Sequence, residues 1–310
     1  MNRGVNRVSV VGSLHYDIMV QAPYLPRTGE TLIGDAWWWK PGGKGGNQAM
    51  AAARHGAAVT MIGCLGDDEF GARLRERLGA AAVDLAYIRT VERGSGMSVA
   101  IQQGDGDYAA VVVSGANREI DETQVAAAAD AILGSLVLVL QNEIIEPANI
   151  AAARLAREAG ATVILNAAPA RPMENLADLV DVLVVNAVEA EMLGGGPVRD
   201  LADAGAAASR LAMSLAPAVV VTVGEAGVAA ATDLEHLAVP AHAVSQAETH
   251  GAGDVFVGAL AAQLAGATPF EQALRYANAA AALHAGTPEA DRDDLGPADV
   301  SRLLSDSAAG

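Results

Sequence analysis

A mainly parallel α/β sheet carrying a small β lid is the fold the sequence predicts, on three observations. Near-continuous apolar runs alternate with alanine-rich helical stretches from residue 135 to residue 225. Each run closes in polar residues or glycine, which in an open parallel sheet is the ligand-binding end of a strand. The first half of the chain interrupts this alternation with a hairpin pattern, which belongs off the main sheet.

In chain order, "VSVVGSLHYD" (8–17) reads as a strand, and "NQAMAAARHG" (47–56) as a helix with Asn47 as N-cap and Gly56 past its end. "DEFGARLRERLG" (68–79) is a second helix, capped by Asp67 or Asp68; paired aspartates also suit a metal, but at a helix start capping is the stronger reading. "GMSVAIQQGDGDYAAVVVSG" (96–115) alternates Met97, Val99 and Ile101 before a turn at Gly104 to Gly106, a hairpin. With "GETLIGDAWWWK" (29–40) it forms the lid, drawn from about 13–42 and 94–115. "SLVLVLQNE" (135–143), "ATVILNAAP" (161–169), "DVLVVNAVE" (181–189) and "AVVVTVGE" (218–225) are parallel strands, separated by helices such as 147–160 and 203–216. No repeat or linker divides the chain, so a single domain over 1–310 is expected.

With 52% hydrophobic and 18% charged residues the chain has ample core and no disordered signature. A net charge of −17 argues against nucleic acid or an anionic membrane as partner. Cys64 is the only cysteine, which excludes an intrachain disulfide and suits a reducing compartment. The N-terminal apolar run is too short for a signal-peptide core, and no run approaches a membrane span. A cytoplasmic protein is the expectation.

Two glycine-rich loops compete for a phosphate. "PGGKGGNQ" (41–48) looks like a phosphate loop, yet a G-x-x-x-x-G-K-[ST] pattern fails, because Trp38 and Gly45 occupy its anchor positions. Bare backbone there lets a small ligand lie against the loop, with the Asn47 amide directed at it. "ETHGAGDVFVGAL" (248–260) is the better phosphate site: Gly251, Ala252 and Gly253 open a helix running through Leu264, whose free amides and dipole suit an anion. Asp254 then lies in the first turn, where a carboxylate beside a phosphate cradle can accept a hydroxyl proton.

These segments, with "VGSLHYD", "TGETLIGD", "IGCLGDDEFG", "SGAN" (114–117), "ILNAAPA", "VVNAVEAEML" and "VTVGEAGV", occur in an order that resembles the ribokinase-like, or phosphofructokinase-B (PfkB), carbohydrate and nucleoside kinases. The resemblance covers nearly the whole chain and is closest to the ribokinase branch. It implies a three-layer α/β/α domain with a β lid over the sugar, ATP near the carboxyl ends of the later strands, and Mg²⁺. Carried over, Asp254 is the catalytic base, the amides of Ala252 and Gly253 form the anion hole, and Gly251 belongs to the same catalytic segment. Asn186 and Glu189 arrange Mg²⁺ and phosphate, largely through water, and Thr222 and Gly224 lie along ATP. Asp17, His15, Gly43, Lys44, Asn47 and Glu143 match the sugar positions. Glu248 and His250 fall near a monovalent-cation site, K⁺ in the family, and family lids often clasp one another in homodimers.

Three departures bear in turn on the sugar, the cation and the nucleotide. His15 stands where the family's ribokinases usually carry Asn, Glu248 where they carry Asp, and "AGTPEADRDDLGP" (285–297) where they carry a basic segment. Trp37, Trp38 and Trp39 are unusual in a chain with 4% aromatics; on a strand, Trp37 and Trp39 share one face and Trp38 the other. One face suits lid-to-lid packing and the other a ligand. The expected function is an ATP-dependent kinase for a hydroxymethyl group of ribose or a related sugar. The alternatives are a nucleoside kinase, another PfkB kinase acting on fructose or a sugar acid, and a non-catalytic sugar- or nucleotide-binding regulator.

Overall fold

The computed structural model describes residues 6–103, 108–244 and 249–309. The expected hairpin turn at Gly104 to Gly106 and the expected cation ligand Glu248 lie outside the described residues. The strands are β1 (Arg7–Val11), β2 (His15–Gln21), β3 (Ala36–Gly42), β4 (Ala58–Gly66), β5 (Asp84–Val91), β6 (Gly96–Gln102), β7 (Tyr108–Val113), β8 (Val137–Gln141), β9 (Thr162–Asn166), β10 (Val182–Asn186), β11 (Ala218–Thr222), β12 (Gly227–Thr232) and β13 (His236–Pro240). The helices are α1 (Lys44–Arg54), α2 (Glu69–Ala80), α3 (Glu122–Ala127), α4 (Ala129–Leu133), α5 (Glu146–Glu158), α6 (Ala187–Met192), α7 (Leu201–Ala212), α8 (Ala252–Ala265), α9 (Phe270–Gly286) and α10 (Pro297–Ala309).

Nine strands form one sheet in the order β13-β12-β11-β10-β9-β8-β1-β4-β5. Pairing is parallel from β11 through to β5, and antiparallel where β12 and β13 extend the edge beyond β11. Strand alternation divides the core into two layers. Val8, Val10, Val137 and Val139 point to a cluster under α1, α2, α8, α9 and α10. Val11, Leu138 and Leu140 point to the opposite cluster, under α3 to α7. Both faces being covered is why these strands read as continuous apolar runs. Among the described residues no helix is long and apolar enough to cross a membrane.

The four-stranded lid has the order β3-β2-β6-β7, with β2 and β6 parallel and the other pairs antiparallel. A small separate sheet agrees with the sequence reading, but one expected strand divides. Residues 8–17 form two strands in two different sheets, β1 in the body and β2 in the lid. The break falls at Gly12, where a Cβ would lie 1.9 Å from the Gln141 side-chain oxygen and 3.0 Å from the Gly45 Cα. The α1 start also differs: Gly43, with φ +80°, is the N-cap, and Asn47 lies inside the first turn with its N–H on the Gly43 carbonyl. Asp68, not Asp67, caps α2 by accepting from the Gly71 N–H at 2.7 Å. His55, at the end of α1, is buried against Tyr276, 2.9 Å between Nδ1 and the hydroxyl, and burial pushes its pKa down to about 4. It is a core residue.

Candidate active site

The carboxyl ends of β1, β8, β9, β10 and β11 converge with the N-termini of α1 and α8. Asp254, in the first turn of α8, is 8% exposed. Its two oxygens accept from Gln48 Nε2 at 2.9 Å and Asn47 Nδ2 at 3.2 Å. Burial pushes its pKa up; the Lys44 charge and the two amide donors pull it back, and the Glu143 charge pushes it up again.

The Asp254 carboxylate rests on a buried amide network. Gln141 Nε2 donates to Gln48 Oε1 at 2.8 Å, Gln48 Nε2 is also 3.1 Å from Asn166 Oδ1, and Asn166 Nδ2 reaches the Val184 carbonyl at 3.1 Å. Gln48 itself escaped the sequence reading. A fully buried glutamine inside the otherwise alanine-rich "NQAMAAAR" was its signal.

The glycine-rich loop 41–48 is shaped by the chain's own backbone. A Cβ at Gly43 would lie 2.7 Å from the His15 nitrogen, and one at Gly45 2.6 Å from the Ser13 nitrogen. The glycines therefore let residues 43–46 press on residues 12–15, rather than serving a ligand alone. Glu143 joins the two segments, accepting from the Ser13 hydroxyl and from the Lys44 N–H at 2.9 Å. Asp17 accepts from Ser98 Oγ at 2.5 Å, a partner that sequence pattern did not indicate. His15 is 4% exposed and its Nε2 meets no hydrogen-bond partner among the described residues.

On the other side, Asn186 and Glu189 form a reciprocal capping box at the start of α6, each side chain 2.9 Å from the other's N–H. Burial raises the Glu189 pKa; the Asn186 N–H and the Lys44 charge lower it, and the Asp254 charge raises it. Lys44 thus acts on both carboxylates. Thr222 is in register with Asn186 on the adjacent strand, and Gly224 follows with φ +48°. Among the described residues, no group of three or more His, Cys, Asp or Glu side chains could hold a metal ion by itself.

At α8, Gly251 is left-handed (φ +82°), a conformation glycine adopts without strain. A Cβ at Gly253 would meet nothing within 4 Å, so packing does not demand glycine there. The Ala252 N–H differs from its expected anion-hole role: it closes a turn onto the Thr249 carbonyl at 3.1 Å. His250 directs its carbonyl to His284 Nε2 of α9 at 3.1 Å.

The lid tryptophans divide by face as the sequence implied, and Trp39 packs within the chain. It stacks on Tyr16 at 4.6 Å between centroids, inside the chain. Trp37 is 67% exposed.

A model of the pfkB family carbohydrate kinases matches residues 5–294. The chain is 34% identical to the ribokinase of Haemophilus influenzae over 278 residues, covering 89% of this chain and 91% of the relative. It is 34% identical to that of Bacillus subtilis over 281 residues, 90% and 92%. The deoxyribokinase of Salmonella typhi is 32% identical over 257 residues, 82% and 84%. Among solved structures, Arabidopsis thaliana ribokinase complexed with ribose and ATP superposes with a TM-score of 0.90 at 30% identity, covering 97% of this chain and 99% of that one.

Proposed function

The chain belongs to the pfkB family of carbohydrate kinases, and on that premise we propose that it transfers the γ-phosphate of ATP to the hydroxymethyl group of ribose, with Asp254 as general base. The observation that carries this reading is the placement of Asp254: buried, gripped by two amide donors, and in the first turn of a helix whose N-terminus offers its amides to an anion. Burial raises the carboxylate's pKa, which favours proton acceptance, and the Lys44 charge opposes that rise.

Asp17, Glu143 and Asn47 supply acceptors and donors for sugar hydroxyls, and the bare His15 Nε2 adds one more. Gly253 and its neighbours face the transferred phosphoryl group, and Thr222 and Gly224 lie beside the nucleotide. The half-buried Glu189 carboxylate with Asn186 fits a hydrated Mg²⁺, held largely through water. That ion supplies charge neutralisation on the phosphates when bound. Lys44, whose charge reaches both Asp254 and Glu189, bridges the sugar and phosphate sides. K⁺, where it acts, belongs to the 248–250 segment. The exposed edge strand β7 and Trp37 suit a homodimer built through the lid, and the single, buried cysteine suits a cytoplasmic enzyme.

A relative named deoxyribokinase makes deoxyribose the competing acceptor. The test is ADP release, with Mg²⁺ and K⁺, across ribose, deoxyribose, fructose and common nucleosides. Ribose is expected to give the highest kcat/KM. Asp254→Asn should cut turnover by roughly 10²–10⁴-fold while ATP still raises the melting temperature. Near-normal turnover in that variant would remove Asp254 as base. A wild type silent on every sugar and nucleoside would remove the kinase reading.

A further inference from the structure

Tyr16 occupies the strand position between His15 and Asp17, and its side chain points the other way. In register, His15 faces Gly42 and Gly96, and Asp17 faces Lys40 and Ser98. Tyr16 faces Pro41 and Met97, and Ile18 faces Trp39. Opposed residues share a face, so Tyr16 and Trp39 are diagonal neighbours on the side away from the sugar-binding candidates.

There the Tyr16 ring, 3% exposed, is held between two others. Trp39 stacks on it at 4.6 Å with 7° between planes, and Phe70 at 4.2 Å with 4°. Phe70 belongs to α2, in the body of the molecule. Arg73, one turn further along α2, places its guanidinium 5.8 Å from the Trp39 ring centroid and donates to the Tyr16 hydroxyl at 3.3 Å. The same helix grips the other root of the lid. Its cap, Asp68, accepts from both the N–H and the hydroxyl of Ser95 at 2.7 Å, immediately before β6. Both lid strands that pair in parallel are thus fastened to one helix, β2 through rings and β6 through a carboxylate.

We propose that Tyr16 is a positioning residue for the sugar acceptor: clamped between Trp39 and Phe70, it fixes the pitch of β2, so that Asp17 and His15 on its opposite face meet the sugar in one orientation. Loss of the clamp leaves the ATP side intact, because α8, β10 and β11 make no part of it. The inference rests on the kinase reading above.

The chain has three tryptophans, all adjacent in β3, so tryptophan fluorescence reports on the lid alone. Wild type, Tyr16→Phe, Tyr16→Ala and Phe70→Leu are compared for KM of ribose, KM of ATP and the fluorescence change on adding ribose. Tyr16→Ala should raise the ribose KM about tenfold, with the ATP KM held within about twofold, and should diminish the fluorescence response. Phe70→Leu should move the same quantities in the same direction from the body side, and carries the test if Tyr16→Ala fails to fold. Tyr16→Phe keeps the rings and should restore the wild-type ribose KM. An unchanged ribose KM in both ring-removing variants, or ribose and ATP KM values rising together, overturns the inference alone. A wild type that phosphorylates no sugar overturns the sugar-kinase reading and takes this inference with it.

Discussion

Asp254, the proposed base, takes its proton affinity from its surroundings. Burial opposes its charge, and two amides and one ammonium restore it. Each donor favours the ionised form, so removing one raises the pKa further. Asn47→Ala, which deletes the 3.2 Å donor without touching the Gln48 network, should therefore move the acidic limb of kcat/KM to higher pH. The sign is fixed: the base works deprotonated, and a higher pKa means activity is lost sooner on acidification. A profile that shifts to lower pH, or stays in place, would show that another group governs that limb. At this scale the sequence was informative about Asp254 because its glycine neighbours mark a helix start. It was silent about Ser98, which belongs to no local pattern, and marked Gln48 only as a polar side chain in an alanine-rich helix. Their roles arise from strands and helices meeting across more than 80 residues of chain.

Helices α1 and α8 carry the two halves of the site, Asn47 and Gln48 on one and Asp254 on the other, and they meet at a glycine. A Cβ at Gly258 would lie 2.5 Å from the Gln48 carbonyl oxygen, 2.6 Å from the Ala51 Cβ and 2.8 Å from the Ala52 nitrogen. Two of those atoms are backbone, so neither can swing aside. Gly258→Ala must push the helices apart, at a cost of about 1–3 kcal/mol in stability, and it must lengthen the amide contacts to Asp254. The expected outcome is a lowered urea midpoint together with a reduced kcat; wild-type values of both would place the helices further apart than described. Legibility at this scale follows the same logic. The parallel strands β8 to β11 were readable because burial on both faces writes itself as an apolar run. The division of 8–17 into β1 and β2 was not, because the chain remains extended while changing sheets, and only the contact of Gly12 with Gln141 and Gly45 explains the departure. The start of α1 at Gly43 was likewise hidden, since Asn47 satisfies the local rule for a cap and the tertiary contact overrides it.

For the whole molecule, the lid sheet ends at two strands, β3 and β7, and β7 carries three exposed valines. β7 pairs with β6 on one side only, and Val111, Val112 and Val113 are 69%, 58% and 51% exposed. Three consecutive exposed valines mean that neither face of the strand is covered, and an apolar strand with a free edge is a template for pairing. In the proposed lid dimer a second copy pairs along that edge, with Trp37 adding aromatic area on β3. Each copy carries a net charge of −17, so association brings like charges together and depends on screening. The lid dimer should therefore tighten as salt rises, opposite to a dimer held by ion pairs. Placing a like charge at the edge should disrupt it: Val112→Glu is expected to sediment as a monomer at micromolar concentration where the wild type sediments as a dimer. A wild type that remains monomeric, or a variant that remains dimeric, would assign the exposed edge to something other than a second copy. The same variants test whether the lid needs its partner to close. If the monomer keeps the wild-type ribose KM, the internal clamp at Tyr16 is sufficient to set the lid, and pairing serves stability rather than substrate binding.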